Sequence, residues 1–194
     1  MADNVQNSSR RGGNKWLTMA WTTISVIILL TPLVAMQFTD EVNWTVGDFV
    51  FAGALLLGSG ITYELAARVG NLAYQAGVVV ALGTGVLTMW VTGAVGIIGS
   101  ENNPGNLLYL GTVALAILGA ILTLGAAAWM RWAMAVVALA TAAVPFIAYY
   151  AGVADPRRDV LAPEVIAATG VLTIGWLLSA RLFHEALRRA SAKE

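Results

Sequence analysis

The chain has 194 residues, equal numbers of acidic and basic side chains, 58% hydrophobic residues and 11% charged residues. This composition leaves too little polar surface to cover a soluble globule, so we predict an integral membrane protein. The sequence contains no cysteine, which excludes disulfides, thiolate catalysis and cysteine-ligated metal centres.

Six long apolar runs follow one another along the chain, and each is long enough for a helix across a hydrocarbon core of ~30 Å. They lack the inside-outside alternation of a β-barrel, so we predict an all-α, polytopic bundle of six transmembrane helices in one domain, residues 16–186. The alternative is a five-span protein with residues 135–152 lying in the membrane interface. The six runs are residues 16–37, 46–67, 73–100, 107–130, 132–152 and 163–183.

Charge placement predicts the orientation of the bundle. The side that holds both termini carries nine basic and four acidic residues, whereas the opposite side carries two basic and seven acidic residues. Because Lys and Arg are retained on the cytoplasmic side, we predict that both termini are cytoplasmic. Residues 1–15, rich in Asn, Ser and Gly, are predicted to be a disordered tail, and residues 187–194 a second cytoplasmic tail. The first run is too long for a cleaved signal, so we predict a retained helix.

Small residues one helical turn apart predict where the helices pack, because lipid provides no hydrophobic drive for helix association. Trp90, near the centre of the third run, is predicted to fill the core. Four other tryptophans are predicted interfacial anchors at the run boundaries: Trp16, Trp44, Trp129 and Trp132. The predicted small-residue seams are Ala54/Gly58, Gly77/Ala81/Gly85, Ala116/Ala120, Ala138/Ala142 and Gly175/Ser179.

Polar residues gather at the predicted outer turns and form the first candidate site. They could make an acidic rim that attracts an ion or another ligand, and Asp48 at the start of the second run is its most informative member. Oxygen ligands suit Ca²⁺ or Mg²⁺, but no spacing matches a dedicated loop, so a metal stays unknown. The competing interpretation is solvated turns and helix caps. The candidate cluster is Asp40, Glu41, Asp48, Glu101, Asn102, Asp155, Asp159 and Glu164.

The turn between the third and fourth runs has its own predicted geometry. Pro104 and Gly105 suit the two central positions of a type II turn. Either Asn106, or Asn103 with Pro104 at the first helical position, is predicted to cap the fourth helix.

Glu64 and Arg68 form a second candidate site, a polar pair near the inner boundary. Their spacing of four residues favours an ion pair, and a proton-relay role for Glu64 is the alternative. His184 is predicted to be an interfacial residue. A serine nucleophile at Ser59 is rejected because its base, His184, would lie beyond the end of the sixth helix. A single histidine also excludes a bis-histidine haem within one chain.

The segments "FTDEVNW" (residues 38–44) and "YELAAR" (63–68), followed by "AVGIIGSENNPGN" (94–106), carry a resemblance. Over roughly residues 32–110 the chain resembles a group of small bacterial inner-membrane proteins of no assigned activity. The resemblance implies a multi-pass protein of the bacterial inner membrane and implies no activity.

Two functions follow as hypotheses. The first is a non-enzymatic accessory component without a cofactor, whose partners are the lipid bilayer and either a second copy or another membrane protein, with no nucleic acid. The second is a small cation or proton transporter or channel with an acidic outer mouth. Few charges lie within the runs, which favours the first hypothesis.

Overall fold

The computed structural model describes residues 19, 21–39, 42–68, 71–100, 102–153 and 162–192. These residues form helices and no strand, which confirms the all-α prediction for the described part of the chain. Helices α2, α3, α5 and α6 are long and apolar enough to cross a membrane, as expected of a multi-pass membrane protein, whereas α1 and α4 are shorter. The helices are α1 Trp21–Ala35, α2 Val46–Ala67, α3 Leu72–Ala94, α4 Asn106–Leu122, α5 Ala127–Tyr150 and α6 Pro163–Ser191.

The chain divides into two compact units, Met1–Arg68 and Val69–Glu194. The first contains α1 and α2. There the indole Nε1 of Trp21 donates to the carbonyl of Leu56 at 3.1 Å, and the ring occupies the space beside Gly60 that a Cβ would need. A glycine is therefore what allows α1 to approach α2 at this point.

The second unit is a bundle in which α6 packs against α3 and α5, and α4 also packs against α3 and α5. Small residues form the contact between α3 and α6, as the sequence predicted. Ser179 Oγ donates to the carbonyl of Gly77 at 2.9 Å, and a Cβ on Gly175 would collide with the side chain of Thr84. Helix α5 has buried residues from Met130 to Ala148, which disfavours the alternative of an interfacial helix.

The second unit has two chemically different ends. We call the first the Arg131 end, which comprises residues 71–74, 123–132 and 181–191. It is tied together by Asn71 Nδ2, which donates to the carbonyl of Ala186 at 2.9 Å, and by Tyr74 Oη, which donates to the carbonyl of Gly125 at 2.6 Å. We call the opposite one the Asn106 end, which comprises residues 95–100, 102–109, 144–150 and 162–169. Ile97, Ile98 and Tyr109 are buried there together with Val144 and Ala148.

The connection between the fourth and fifth helices was predicted wrongly, at residue 131. It lies at residues 123–126, and Arg131 is inside α5. Helix α4 ends in a Schellman motif, in which Gly125 N donates to Ala120 O and Leu124 N donates to Ile121 O. Leu124 occupies the left-handed position with a φ of 49°, where glycine is usual. Because Leu124 is apolar and is not a glycine, the hydropathy of the sequence does not indicate that the helix ends here.

Other boundaries also differ from the predictions. Helix α3 ends at Ala94, and residues 95–100 of the predicted third run are non-helical. Helix α6 continues to Ser191, so residues 187–191 of the predicted tail are helical. The predicted tail at residues 1–15 lies outside the described residues, and one domain over residues 16–186 stays a prediction.

The core tryptophan was also predicted wrongly. Trp90 is 61% exposed, whereas Trp176 of α6 is 1% exposed and fills the bundle interior. A Cβ on Gly85 of α3 would lie 3.6 Å from the Trp176 ring and 3.9 Å from Val113 of α4. Helical position alone did not distinguish the two tryptophans, because both lie in apolar surroundings in the sequence.

Candidate functional site

The candidate outer cluster is described in part. Asp48 lies in the first turn of α2, Glu164 in the first turn of α6, and Asn102 in the turn before α4. Asp48 belongs to the first unit and the other two residues to the second. Within the described ranges, no group of three or more His, Cys, Asp or Glu side chains could hold a metal ion. The remaining members lie outside the described residues: Asp40, Glu41, Glu101, Asp155 and Asp159.

Asp48 forms a capping box with Thr45. Its Oδ2 accepts hydrogen bonds from Thr45 N at 2.7 Å and from Thr45 Oγ1 at 2.8 Å, while the backbone N–H of Asp48 donates back to Thr45 Oγ1 at 3.4 Å. Such a box pairs two backbone N–H groups that a helix start otherwise leaves unpaired. The carboxylate of Asp48 thus has a structural task at the beginning of α2.

Glu64 and Arg68 form the ion pair that their spacing predicted. Arg68 Nη2 lies 3.6 Å from Glu64 Oε1, and the two side chains are 66% (Arg68) and 40% (Glu64) exposed. An exposed pair at this spacing stabilises a helix only slightly. Arg68 is also the C-terminal cap residue of α2, so the pair lies at the end of this helix, where the first unit ends.

Asn106 holds together the non-helical segment at the Asn106 end. Its Oδ1 accepts hydrogen bonds from Ile97 N at 3.0 Å and Ile98 N at 2.9 Å. Its Nδ2 donates to Ile98 O at 3.3 Å and to Ser100 O at 2.7 Å. Ile98 is 1% exposed and Asn106 2% exposed, so one amide pairs four backbone groups, three of which belong to the buried residues Ile97 and Ile98.

The predicted geometry of this turn was wrong in two respects. Gly105 has a φ of −58°, so the turn is not type II, which needs a positive φ there. Gly105 is the N-cap of α4 and no side chain bonds in the capping position. Asn106 is the first helical residue and its amide reaches backwards, while Asn103 Oδ1 accepts from Gly105 N at 2.8 Å. Gly99, with a φ of 71°, lets the loop turn back towards Asn103.

Among the described residues, the largely apolar interior of the second unit contains buried polar side chains and no charged one. Tyr109 Oη and Thr169 Oγ1 are 2.5 Å apart and link α4 to α6. Among the described residues of this unit, three buried side-chain atoms have no hydrogen-bond partner: Nε1 of Trp176, Oγ1 of Thr92 and Oγ1 of Thr173. Each of five buried threonines donates from its hydroxyl to a carbonyl of its own helix: Thr84, Thr88, Thr112, Thr141 and Thr169.

The Arg131 end carries the clearest electrostatic feature. Arg131 Nη1 lies 3.0 Å from His184 Nδ1, which joins α5 to α6. Because a guanidinium can only donate, His184 Nδ1 is the acceptor. The guanidinium of Arg131 also lies 5.2 Å from the centroid of the Trp132 ring. One turn further along α6, Arg189 Nε donates to Glu185 Oε1 at 3.0 Å.

Two of these features were not predicted from the sequence. Asn106 was predicted to cap α4. Its side chain instead makes four hydrogen bonds to the backbone of the preceding segment, and these form only because the chain folds back there. Arg131 was assigned to a connection, so its contact with His184 could not be foreseen. Their common signal is a polar residue at the edge of an apolar run.

Comparison of the chain with protein-family models, with curated proteins and with solved structures finds no match. The resemblance to small bacterial inner-membrane proteins therefore stays a prediction, and the function is argued from the geometry alone.

Proposed function

We propose that the chain is a non-enzymatic accessory protein of a cell membrane that acts by associating with a second copy of itself. The observation that carries this proposal is the packing of the α3–α6 bundle. Trp176, Tyr109 and Phe183 fill it with large side chains under 2% exposed. The buried polar residues in the described part of the chain are Thr, Ser and Asn, which carry no charge. Such an interior suits a rigid anchor.

An ion path makes different demands on a bundle. Ionisable groups inside a membrane usually mark such a path, and they face the interior or a water-filled cavity. Here five of the six buried threonines that the structure describes donate from their hydroxyls to their own helices. The transport hypothesis assigns ion-relay roles to Asp48 and Glu64, but Asp48 is exposed and bonded within a capping box, and Glu64 is paired with Arg68. These observations favour association over transport.

Helix α2 offers a face for such association. Within the first unit, α1 approaches α2 at Gly60, whereas no atom comes within 4 Å of a Cβ placed on Gly53 or Gly58. Ala54 and Gly58 are four residues apart on one side of the helix. Small residues at this spacing allow two membrane helices to approach closely. We place the self-association contact on this face.

Native mass spectrometry of the gently solubilised protein tests the proposal. We expect a discrete oligomer for the natural sequence and a shift towards monomer for Gly58→Leu, because a large side chain there separates the helices. Gly111→Leu on α4 is the matched control, since a Cβ there also meets no atom within 4 Å. The control should remain oligomeric.

A monomeric natural protein would contradict the proposal. If that monomer also carried a cation or proton flux in proteoliposomes that Asp48→Asn abolished, the transport hypothesis would replace it. If Gly58→Leu and Gly111→Leu had the same oligomeric state, the self-association contact would not lie on α2.

We further propose six spans in a bacterial inner membrane with both termini cytoplasmic, supported by the charge asymmetry of the sequence. The chain has no native cysteine, so single cysteines report topology directly. In spheroplasts, a membrane-impermeant maleimide should label Thr39→Cys and Val153→Cys. Ala192→Cys should react only after permeabilisation. Labelling of Ala192→Cys in intact spheroplasts would contradict the orientation.

A further inference from the structure

Two arginines of α6, Arg181 and Arg188, share a helical face with His184, which contacts Arg131 of α5. Positions 181, 184 and 188 lie on the same side of the helix, because they are three and four residues apart. The contact between Arg131 and His184 brings the guanidinium of α5 to this face. Arg181 and Arg188 are exposed. The ion pairs of the described residues involve neither of them.

Glu185, the acidic group nearest in sequence, offsets the charge of this face only in part, because its ion pair is with Arg189 and its interaction with Arg188 is weaker. Glu185 is paired with Arg189 through a 3.0 Å contact. Arg131, Arg181 and Arg188 therefore present an excess of positive charge. Planar guanidinium groups match the oxygens of a phosphate with two parallel hydrogen bonds, which an ammonium group does not.

We propose that Arg131, Arg181 and Arg188 form a binding site for the phosphodiester headgroup of an anionic phospholipid. His184 acts as a positioning residue, because its Nδ1 accepts from Arg131 and holds that guanidinium over α6. The backbone carbonyl of Ala128 accepts from Arg131 Nε at 3.2 Å and fixes the other side of the group. The remaining N–H donors of Arg131 are available to a phosphate.

Two tryptophans favour a lipid over a soluble anion as the occupant. Trp129 and Trp132 on α5 are 65% and 59% exposed. Trp132 lies against the guanidinium of Arg131, at 5.2 Å from its ring centroid. Exposed tryptophan is enriched at the headgroup level of a bilayer. We therefore place Arg131, and the face of α6 that it contacts, near the depth of the lipid phosphates.

The test measures lipid retention by the full chain. The protein is equilibrated in micelles with equal amounts of phosphatidylglycerol and phosphatidylcholine, and bound lipids are counted by native mass spectrometry. We expect enrichment of phosphatidylglycerol. Arg181→Gln and Arg188→Gln should each lower that enrichment about fivefold, as expected for one basic residue near an anionic surface. His184→Ala should lower it less, and His184→Gln should restore part of the loss.

Three comparisons make the outcome decisive. Arg68→Gln removes the same charge from α2 and should leave the enrichment unchanged. Arg181→Lys/Arg188→Lys keeps the charge and should retain part of the enrichment, which shows that a double variant still folds. Inorganic phosphate should not displace the lipid. Equal binding of the two lipids, equal loss in Arg68→Gln or displacement by inorganic phosphate would overturn the proposal.

Discussion

Asn106→Ala is expected to lower the free energy of unfolding by about 3–5 kcal/mol, because it leaves several buried backbone groups without partners. The amide of Asn106 bonds to the N–H groups of Ile97 and Ile98 and to the carbonyls of Ile98 and Ser100. Water does not replace these bonds easily, since Ile98 is 1% exposed. The loss is measured by titrating the protein in mixed micelles with a denaturing detergent.

Asn103→Ala is the matched control for this experiment. Asn103 lies in the same turn, but its Oδ1 accepts from one backbone group, the N–H of Gly105. We expect a loss of about 1 kcal/mol for a single hydrogen bond. If both variants lost the same stability, the four bonds of Asn106 would not be what holds residues 95–100 in place.

The all-helical fold was predictable because each helix is a long apolar run. The bounds of α2, Val46 and Ala67, also match the prediction. The C-terminal ends of α3 and α4 were not predictable, because the residues that follow them, 95–100 and 123–126, are as apolar as the helices themselves. Helix α4 ends at the left-handed conformation of Leu124, beside Gly125, whose carbonyl accepts a hydrogen bond from Tyr74 of α3. Hydropathy does not indicate where the backbone adopts such a conformation.

The contacts of the candidate sites were likewise predictable where local spacing fixes them and not where tertiary packing does. The ion pair of Glu64 and Arg68 was predictable, because a spacing of four residues within one helix fixes the contact. The contact of Arg131 with His184 joins residues 53 positions apart and depends on how α5 packs against α6. The four bonds of Asn106 likewise depend on a chain reversal. Local spacing was sufficient for the first pair only.

Gly175→Ala is expected to destabilise the α3–α6 contact by roughly 1–3 kcal/mol, the usual cost of overpacking. The added Cβ would collide with Thr84, whose side chain cannot easily move away. Thr84 is branched at Cβ, and its Oγ1 donates to Val80 O at 2.8 Å. Gly170→Ala, on the same helix, should cost nothing, since a Cβ there meets no atom within 4 Å and alanine favours a helix.

A double-mutant cycle identifies the cause of that loss. Thr84→Ala removes the colliding atoms, so Gly175→Ala should cost much less in the Thr84→Ala background than in the natural sequence. Free energies of unfolding for the natural protein, both single variants and the double variant give the coupling between the two positions. A coupling near zero would mean that Gly175 is not needed for close approach of α6 to α3. A coupling of more than about 1 kcal/mol would assign the requirement for glycine to Thr84, because contacting residues in a packed interface do not act additively.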